Sequence, residues 1–154
     1  MPTQPMPETL KKWFNTPLAK IFQRTNTFVY RVSGGRVGWR IGQAPVLLLT
    51  VRGRKSGTPH TVPLLYLQNG SDYAVVASKG GWPKDPIWYL NLQANPDVTV
   101  EVKRQKFAMA ARTASDEERD RLWPRLVAMY PDYANYQSWT DRKIPVVVLH
   151  PAAN

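Results

Sequence analysis

The chain has 154 residues, 43% of them apolar, and no cysteine; this allows one domain with a buried core and excludes disulfides, a thiol nucleophile and a thiolate metal site. With two histidines, His60 and His150, and 11 mostly scattered carboxylates, it offers no donor cluster for a metal, and none is expected. The 21 lysines and arginines leave a formal net charge of +10, which favours an anionic partner: nucleic acid, an acidic membrane surface or an acidic small molecule.

Residues Met1 to Glu8 contain three prolines and read as a loose tail. An amphipathic helix is expected over about 10–32, because Leu10, Trp13, Phe14, Leu18, Ile21, Phe22, Thr25, Phe28 and Val29 recur at three- and four-residue steps. Lys11, Lys12, Lys20, Arg24 and Arg31 occupy its other faces. Such a helix can cover one end of a core, or lie in a membrane interface with its aromatics among headgroups and its lysines on anionic lipid. No uninterrupted apolar stretch approaches the roughly 20 residues of a membrane span, and the N-terminus lacks the apolar region of a signal peptide. The expected location is cytoplasmic, with room for a peripheral contact at the inner face of the plasma membrane. Ser33-Gly34-Gly35-Arg36 reads as a turn.

Strand-like apolar runs over 46–52 and 61–67 flank the segment Arg52-Gly53-Arg54-Lys55-Ser56-Gly57-Thr58-Pro59. A turn with three cations and two glycines holds charge and free backbone N–H groups over a sheet, which suits an acidic, phosphate-bearing ligand. It also suits an ordinary solvated hairpin tip. Asn69-Gly70 is a hairpin signal leading into a strand over 73–78. Asp85-Pro86 opens a short helix over 87–94, which Asn95-Pro96 ends. Strands over 98–103 and 106–112 follow. Ser115-Asp116-Glu117-Glu118 forms a capping box for a helix running to about Met129, which Pro131 stops. The last strand is expected over 144–150. Short strands without βαβ alternation predict a mainly β fold, an antiparallel barrel with covering helices and no second domain.

Three further clusters could carry chemistry. In Val76-Ala77-Ser78-Lys79-Gly80-Gly81 a strand ends in a hydroxyl, a cation and two glycines, small enough for a planar ring to approach the backbone. Ile87-Trp88-Tyr89-Leu90-Asn91 offers two large aromatics and an amide, although a tryptophan such as Trp88 is most often core. Tyr130, Tyr133 and Tyr136 recur at steps of three, so their phenols can line a wall or simply cover the barrel mouth. Phenols are good donors to a carbonyl that gains negative charge during reduction.

The ordered set Gly53-Arg54-Lys55-Ser56-Gly57, Ala77-Ser78-Lys79-Gly80-Gly81, Pro86 to Leu92, Asn95-Pro96, Met129-Tyr130-Pro131 and Tyr136 to Arg142 resembles the deazaflavin-dependent nitroreductase family of actinobacteria, including its quinone-reductase-like group. The resemblance runs from about Asn15 to Pro151. It implies a split β-barrel of the FMN-binding type that binds coenzyme F-420, an 8-hydroxy-5-deazaflavin with an oligoglutamate tail. Arg54, Lys55 and Ser56 would then hold the anionic tail. His60 stands where the family usually has a further cation, which makes weaker, pH-dependent tail affinity an expectation. The ring would lie along Thr61, Val62, Pro63, Leu64 and Leu65, along Val76, Ala77, Ser78 and Lys79, and along Ile87, Trp88, Tyr89, Leu90 and Asn91, with Tyr133 closing over it.

By the same resemblance Ser78, Tyr130, Tyr133 and Tyr136 face the acceptor, a quinone, an activated enone or a nitroaromatic. Leu65 stands where the nitroimidazole-reducing member has tyrosine, which counts against prodrug reduction more than against quinone or enone reduction. Two alternatives stay open: an FMN-dependent oxidoreductase on the same barrel, and a non-enzymatic barrel binding an anion or nucleic acid. Dispersed cations and the lack of any RNP-like or zinc motif count against nucleic acid.

Overall fold

Residues 6–9, 12, 40–41, 44–81 and 83–152 are described by the computed structural model. The expected helix over 10–32, of which Lys12 alone is described, and the Ser33-Gly34-Gly35-Arg36 turn lie outside these residues.

The sheet is antiparallel throughout. Its strands are β1 (Arg40–Ile41), β2 (Ala44–Arg52), β3 (Pro59–Leu65), β4 (Leu67–Asn69), β5 (Asp72–Val76), β6 (Asp97–Val102), β7 (Gln105–Thr113) and β8 (Val146–Pro151). They pair in the order β1-β2-β6-β7-β8-β5-β4, and β3 adds to β2. The helices are α1 (Ile87–Ala94), α2 (Asp116–Met129) and α3 (Asp132–Ser138).

The period-two alternation of strands sorts the apolar residues into two cores. Leu47, Leu49 and Val51 of β2, Val75 and Ala77, Val98 and Val100, Met109 and Ala111, and Val147 and Leu149 fill the interior, which Trp88, Tyr89 and Leu92 of α1 plug. The intervening residues Ala74, Val76, Val146 and Val148 point outward, against Leu122 and Leu126 of α2 and Tyr133 of α3. β5 and β8 are therefore buried on both faces, which is why their sequences are continuous apolar runs.

The expected strand over 61–67 is broken at Tyr66. The Tyr66 N–H donates to the Pro45 carbonyl at 3.0 Å, and its ring meets Tyr73 edge-on with centroids 5.0 Å apart. β4 thus ends the ladder beside β5 while β3 stands off its path against β2, yet the two are consecutive in the chain. Among the described residues no ladder joins β3 to β5, so the barrel is split. β5 pairs with β4 only as far as Ala74, opposite Leu67. Extending that register puts Leu65 opposite Val76 and Pro63 opposite Ser78, across a gap whose two walls remain neighbours.

The last strand starts at Val146 rather than 144. The Ile144 N–H is taken by Gln137 Oε1 at 2.9 Å, and Pro145 has no N–H to give. α2 begins where the capping box puts it: Glu118 N–H donates to Ser115 Oγ at 3.2 Å and Ser115 N–H to Glu118 Oε1 at 3.2 Å. The split-barrel expectation matches the observed architecture.

Candidate functional site

The basic turn is compact because of its hydrogen bonds. Gly53 N–H donates to the Thr58 carbonyl at 2.8 Å and Gly57 N–H to the Gly53 carbonyl at 2.9 Å. Ser56 Oγ accepts from Thr58 N–H at 3.1 Å, while the Arg52 guanidinium folds back onto the Gly57 carbonyl at 3.3 Å. A side chain at Gly53 would put its Cβ 2.7 Å from Ser56 Oγ and 3.2 Å from His60 Nε2, so glycine is what lets the turn close. Arg54, Lys55, Ser56 and His60 are exposed.

Asn91 anchors this turn from α1. It is 4% exposed, and its Oδ1 accepts both the Arg54 backbone N–H at 3.1 Å and the Arg54 guanidinium at 2.9 Å. The sequence suggests Asn91 as an amide orienting a ring; its carbonyl oxygen is committed to the turn instead. The turn is therefore more than a solvated tip, because a buried amide fixes where the exposed Arg54 stands.

β3 runs from this turn as an edge. Thr61 to Leu65 are half-buried, one side of the strand pairs with β2, and Thr61 Oγ1 meets Thr50 Oγ1 at 2.8 Å. Across the gap, Val76 and Ala77 are buried and Ser78 is 9% exposed. Among the described residues the Ser78 hydroxyl shows no hydrogen-bond partner, whereas its carbonyl accepts from Gly81 N–H at 2.9 Å. Lys79 adopts φ +44°, a left-handed conformation that is costly for a residue with a side chain. Its amine is held below the usual lysine range, first by burial and then by the positive charges of Arg142 and Lys84.

Gly81 brings the tyrosine cluster to this strand end. It sits at φ +79°, and a Cβ there would lie 2.6 Å from the Tyr136 carbonyl oxygen, so α3 packs onto bare backbone. Tyr130 and Tyr136 share a hydrogen bond, oxygen to oxygen at 3.1 Å. Tyr133 lies with ring centroids 5.0 Å from Tyr130 and 6.2 Å from Tyr136. Burial, and then the neighbouring Tyr130, pushes the Tyr133 phenol far up. Burial and the Tyr130 hydrogen bond do the same for Tyr136. Both phenols therefore keep their protons at neutral pH and act as donors rather than bases.

Not every expected residue stands free at the groove. Tyr133 is 4% exposed and packed in the outer core. Trp88 and Tyr89 belong to the interior core, and the Tyr89 hydroxyl is bonded to Thr113 Oγ1 at 2.7 Å. Leu90 is half-buried, while Ile87 is 64% exposed at the start of α1. Arg142, which closes the Tyr136 to Arg142 motif but is not among the expected site residues, reaches the strand end. The Arg142 guanidinium reaches the Ala77 carbonyl at 3.1 Å, the Ser78 carbonyl at 2.7 Å and Asp85 Oδ1 at 3.0 Å, partners 57 to 65 positions away.

The arrangement brings together the gap between β3 and the end of β5, the exposed cations of the turn that leads into β3, and the Ser78 hydroxyl with the tyrosine cluster packed at Gly81. It fits a long planar ligand with an acidic tail, held by charge at one end and by shape and hydrogen bonds at the other.

Comparison with known proteins gives a consistent answer. The sequence model described as F420H(2)-dependent quinone reductase matches residues 22–151. The chain is 41% identical over 144 residues to an F420H(2)-dependent quinone reductase of Mycobacterium tuberculosis, covering 91% of this chain and 97% of that protein. Among solved structures, an F420-H2 dependent reductase is 45% identical with a TM-score of 0.65, covering 69% of this chain and 94% of that one. A chain described as a domain-swapped dimer is 38% identical with a TM-score of 0.67, covering 88% and 100%. At 15% identity and a TM-score of 0.54, a haem storage protein of Vibrio cholerae shares the fold alone, over 71% of this chain and 82% of that one.

Proposed function

The chain belongs to the F420H(2)-dependent quinone reductase family, and we propose that the gap between β3 and the end of β5 is where it holds coenzyme F-420 and the acceptor. The activity is that of a coenzyme F-420-dependent reductase acting on quinones.

One observation carries the placement: exposed Arg54, fixed by the buried Asn91 amide, and its exposed neighbour Lys55 stand in the turn that leads into β3. Arg54, Lys55 and Ser56 hold the acidic tail, with the exposed His60 beside them. The half-buried edge from Thr61 to Leu65 receives one side of the ring, and Val76, Ala77, Ser78 and Lys79 flank the other. Ile87 and Leu90 cover it from α1, while Trp88 and Tyr89 support that helix from below.

When bound, the deazaflavin supplies a hydride, a two-electron reductant. The chain's own task is to align the acceptor and keep water out. In this reading Ser78 Oγ and the paired Tyr130 and Tyr136 phenols, with Tyr133 packed beside them, donate hydrogen bonds to an acceptor oxygen as it gains charge. Enones and nitroaromatics are proposed as further acceptors, with Leu65 limiting the nitroimidazole class.

Peripheral contact with an anionic membrane is also proposed. It is supported by the net charge of +10 and by the lipid solubility of many quinones. Among the described residues no helix is long and apolar enough to cross a membrane. Co-sedimentation with phosphatidylglycerol vesicles at low salt, lost at high salt, is the expected result; no binding at low salt would end the idea.

The activity is tested by anaerobic mixing with reduced coenzyme F-420 and a quinone. Absorbance of the oxidised deazaflavin should recover with turnover. Tight FMN binding without deazaflavin oxidation would refute the reading.

A further inference from the structure

We infer that Arg142 is a positioning residue for this reaction: its guanidinium fixes the strand end from which Ser78 presents its hydroxyl. The inference rests on the placement of the site in the β3–β5 gap.

The ladder of β5 stops at Val76, so the next two residues need other partners for their backbone. Ala77 N–H finds the Pro145 carbonyl at 2.9 Å. Arg142 satisfies the two carbonyls that follow, Ala77 at 3.1 Å and Ser78 at 2.7 Å. The same guanidinium bonds Asp85 at 3.0 Å, just before Pro86 opens α1. One planar fork thus ties the end of β5 to the start of the helix that carries Asn91 and Ile87.

Only a guanidinium can do this with one head, because its donors lie in a fixed plane and a lysine amine would serve these acceptors as a point charge. The chain needs such a brace here. Immediately after Ser78, Lys79 takes the left-handed φ of +44°, a conformation that persists only where the surroundings over-determine it.

Arg142 is itself held from behind. Its backbone carbonyl accepts from Gln137 Nε2 at 2.8 Å. Gln137 Oε1 in turn accepts from the Arg119 guanidinium at 3.0 Å. Arg119 also donates to the Ile144 carbonyl at 3.0 Å and lies over the Trp123 ring at 4.4 Å. The brace is therefore referenced to α2 and α3, the elements that carry Tyr130, Tyr133 and Tyr136. Ser78 and the phenols share one hydrogen-bonded frame, while the cationic turn closes through its own backbone bonds and meets Asn91 further along α1, beyond the Asp85 contact.

That separation makes the inference testable. Wild type, Arg142→Ala and Arg142→Lys are compared for kcat with reduced coenzyme F-420 and a soluble quinone, for cofactor Kd by fluorescence titration, and for thermal midpoint. Arg142→Ala should lower kcat by about tenfold or more, because a misplaced hydrogen-bonding group acts on turnover. Cofactor Kd should change by less than about threefold, since the charged turn that dominates tail binding is untouched. Millimolar guanidinium should restore part of kcat.

Arg142→Lys should fold with a near-native midpoint and still lose roughly three- to tenfold in kcat; if the alanine variant does not fold, the lysine variant decides alone. An Arg142→Lys variant with wild-type kcat, or equal losses of kcat and affinity that track the thermal midpoint, would overturn the positioning role and leave the site standing. A wild type that oxidises no cofactor would overturn both.

Discussion

The two ends of the groove are built differently. The basic turn is local: its backbone bonds close within residues 53–58, its cations are exposed, and a single buried amide from α1 anchors it. The strand end at Ser78 is assembled from afar. Arg142 reaches it across 64 and 65 positions, and α3 presses on Gly81 through the Tyr136 carbonyl. Binding a tail by charge needs only cations on a stable turn, whereas aligning an acceptor with a hydride donor needs a hydroxyl and phenols held to fractions of an ångström. The first end tolerates change; the second does not.

Two glycines sharpen that contrast, because both have positive φ, Gly57 at +71° and Gly81 at +79°. Around Gly57 an added Cβ would meet nothing within 4 Å, whereas at Gly81 it would strike the Tyr136 carbonyl oxygen at 2.6 Å. Gly57→Ala should cost only the conformational strain, about 1 kcal/mol. Gly81→Ala adds an overpacking cost and should destabilise by about 3 kcal/mol in total, with turnover falling as α3 is pushed off the strand end. Chemical denaturation of both variants is the measurement. Equal losses would mean that the two ends are equally tolerant.

The second largest effect is expected at the turn itself. Replacing Arg54 and Lys55 together by alanine should raise the cofactor dissociation constant about tenfold or more, equivalent to about 1.4 kcal/mol. The fold should be nearly unaffected, because Asn91 Oδ1 keeps the Arg54 backbone N–H. Unchanged affinity would remove the turn from the tail site.

Legibility in the sequence follows the same division. The turn, the helix at Ile87–Ala94 and the Ser115 capping box were readable because each is specified by residues within a few positions of one another. The strands were readable from their apolar runs, but the break at Tyr66 was not, since it depends on the Pro45 carbonyl and the Tyr73 ring. The aromatic residues of the site were found as types while their burial was not. Nothing local distinguishes Tyr133, packed in the outer core, from the half-buried Tyr136. Arg142 was legible only as the last residue of the Tyr136 to Arg142 motif; its contacts were not, because only the tertiary fold brings the Ala77 and Ser78 carbonyls to it.

A smaller effect is expected from the phenol pair. Tyr136→Phe deletes the 3.1 Å hydrogen bond to Tyr130 and one donor near the strand end. Turnover should fall roughly fivefold, the scale of one neutral hydrogen bond of about 1 kcal/mol, with cofactor affinity unchanged. A matching loss of affinity would place Tyr136 on the cofactor rather than on the acceptor.

The smallest effect is a pH dependence at the tyrosine end. Glu118 sits in the cap of α2, held by the Arg112 guanidinium at 2.8 Å and by Ser115, and its carboxyl is drawn down to about 2, chiefly by the Arg112 hydrogen bond. A carboxyl that is more acidic folded than unfolded stabilises fully above its ordinary value, and that contribution fades as pH falls toward the folded value. The window here is from about 4.5 down to about 2. The contribution is small because the pair is solvent-exposed and screened. The cap starts the helix that ends at Tyr130, so near-ultraviolet circular dichroism of the tyrosines and tryptophans should drift within this window and be flat above it. Glu118→Gln should remove the drift. A drift that survives Glu118→Gln would show that another carboxylate, and not the α2 cap, loosens the tyrosine wall in acid.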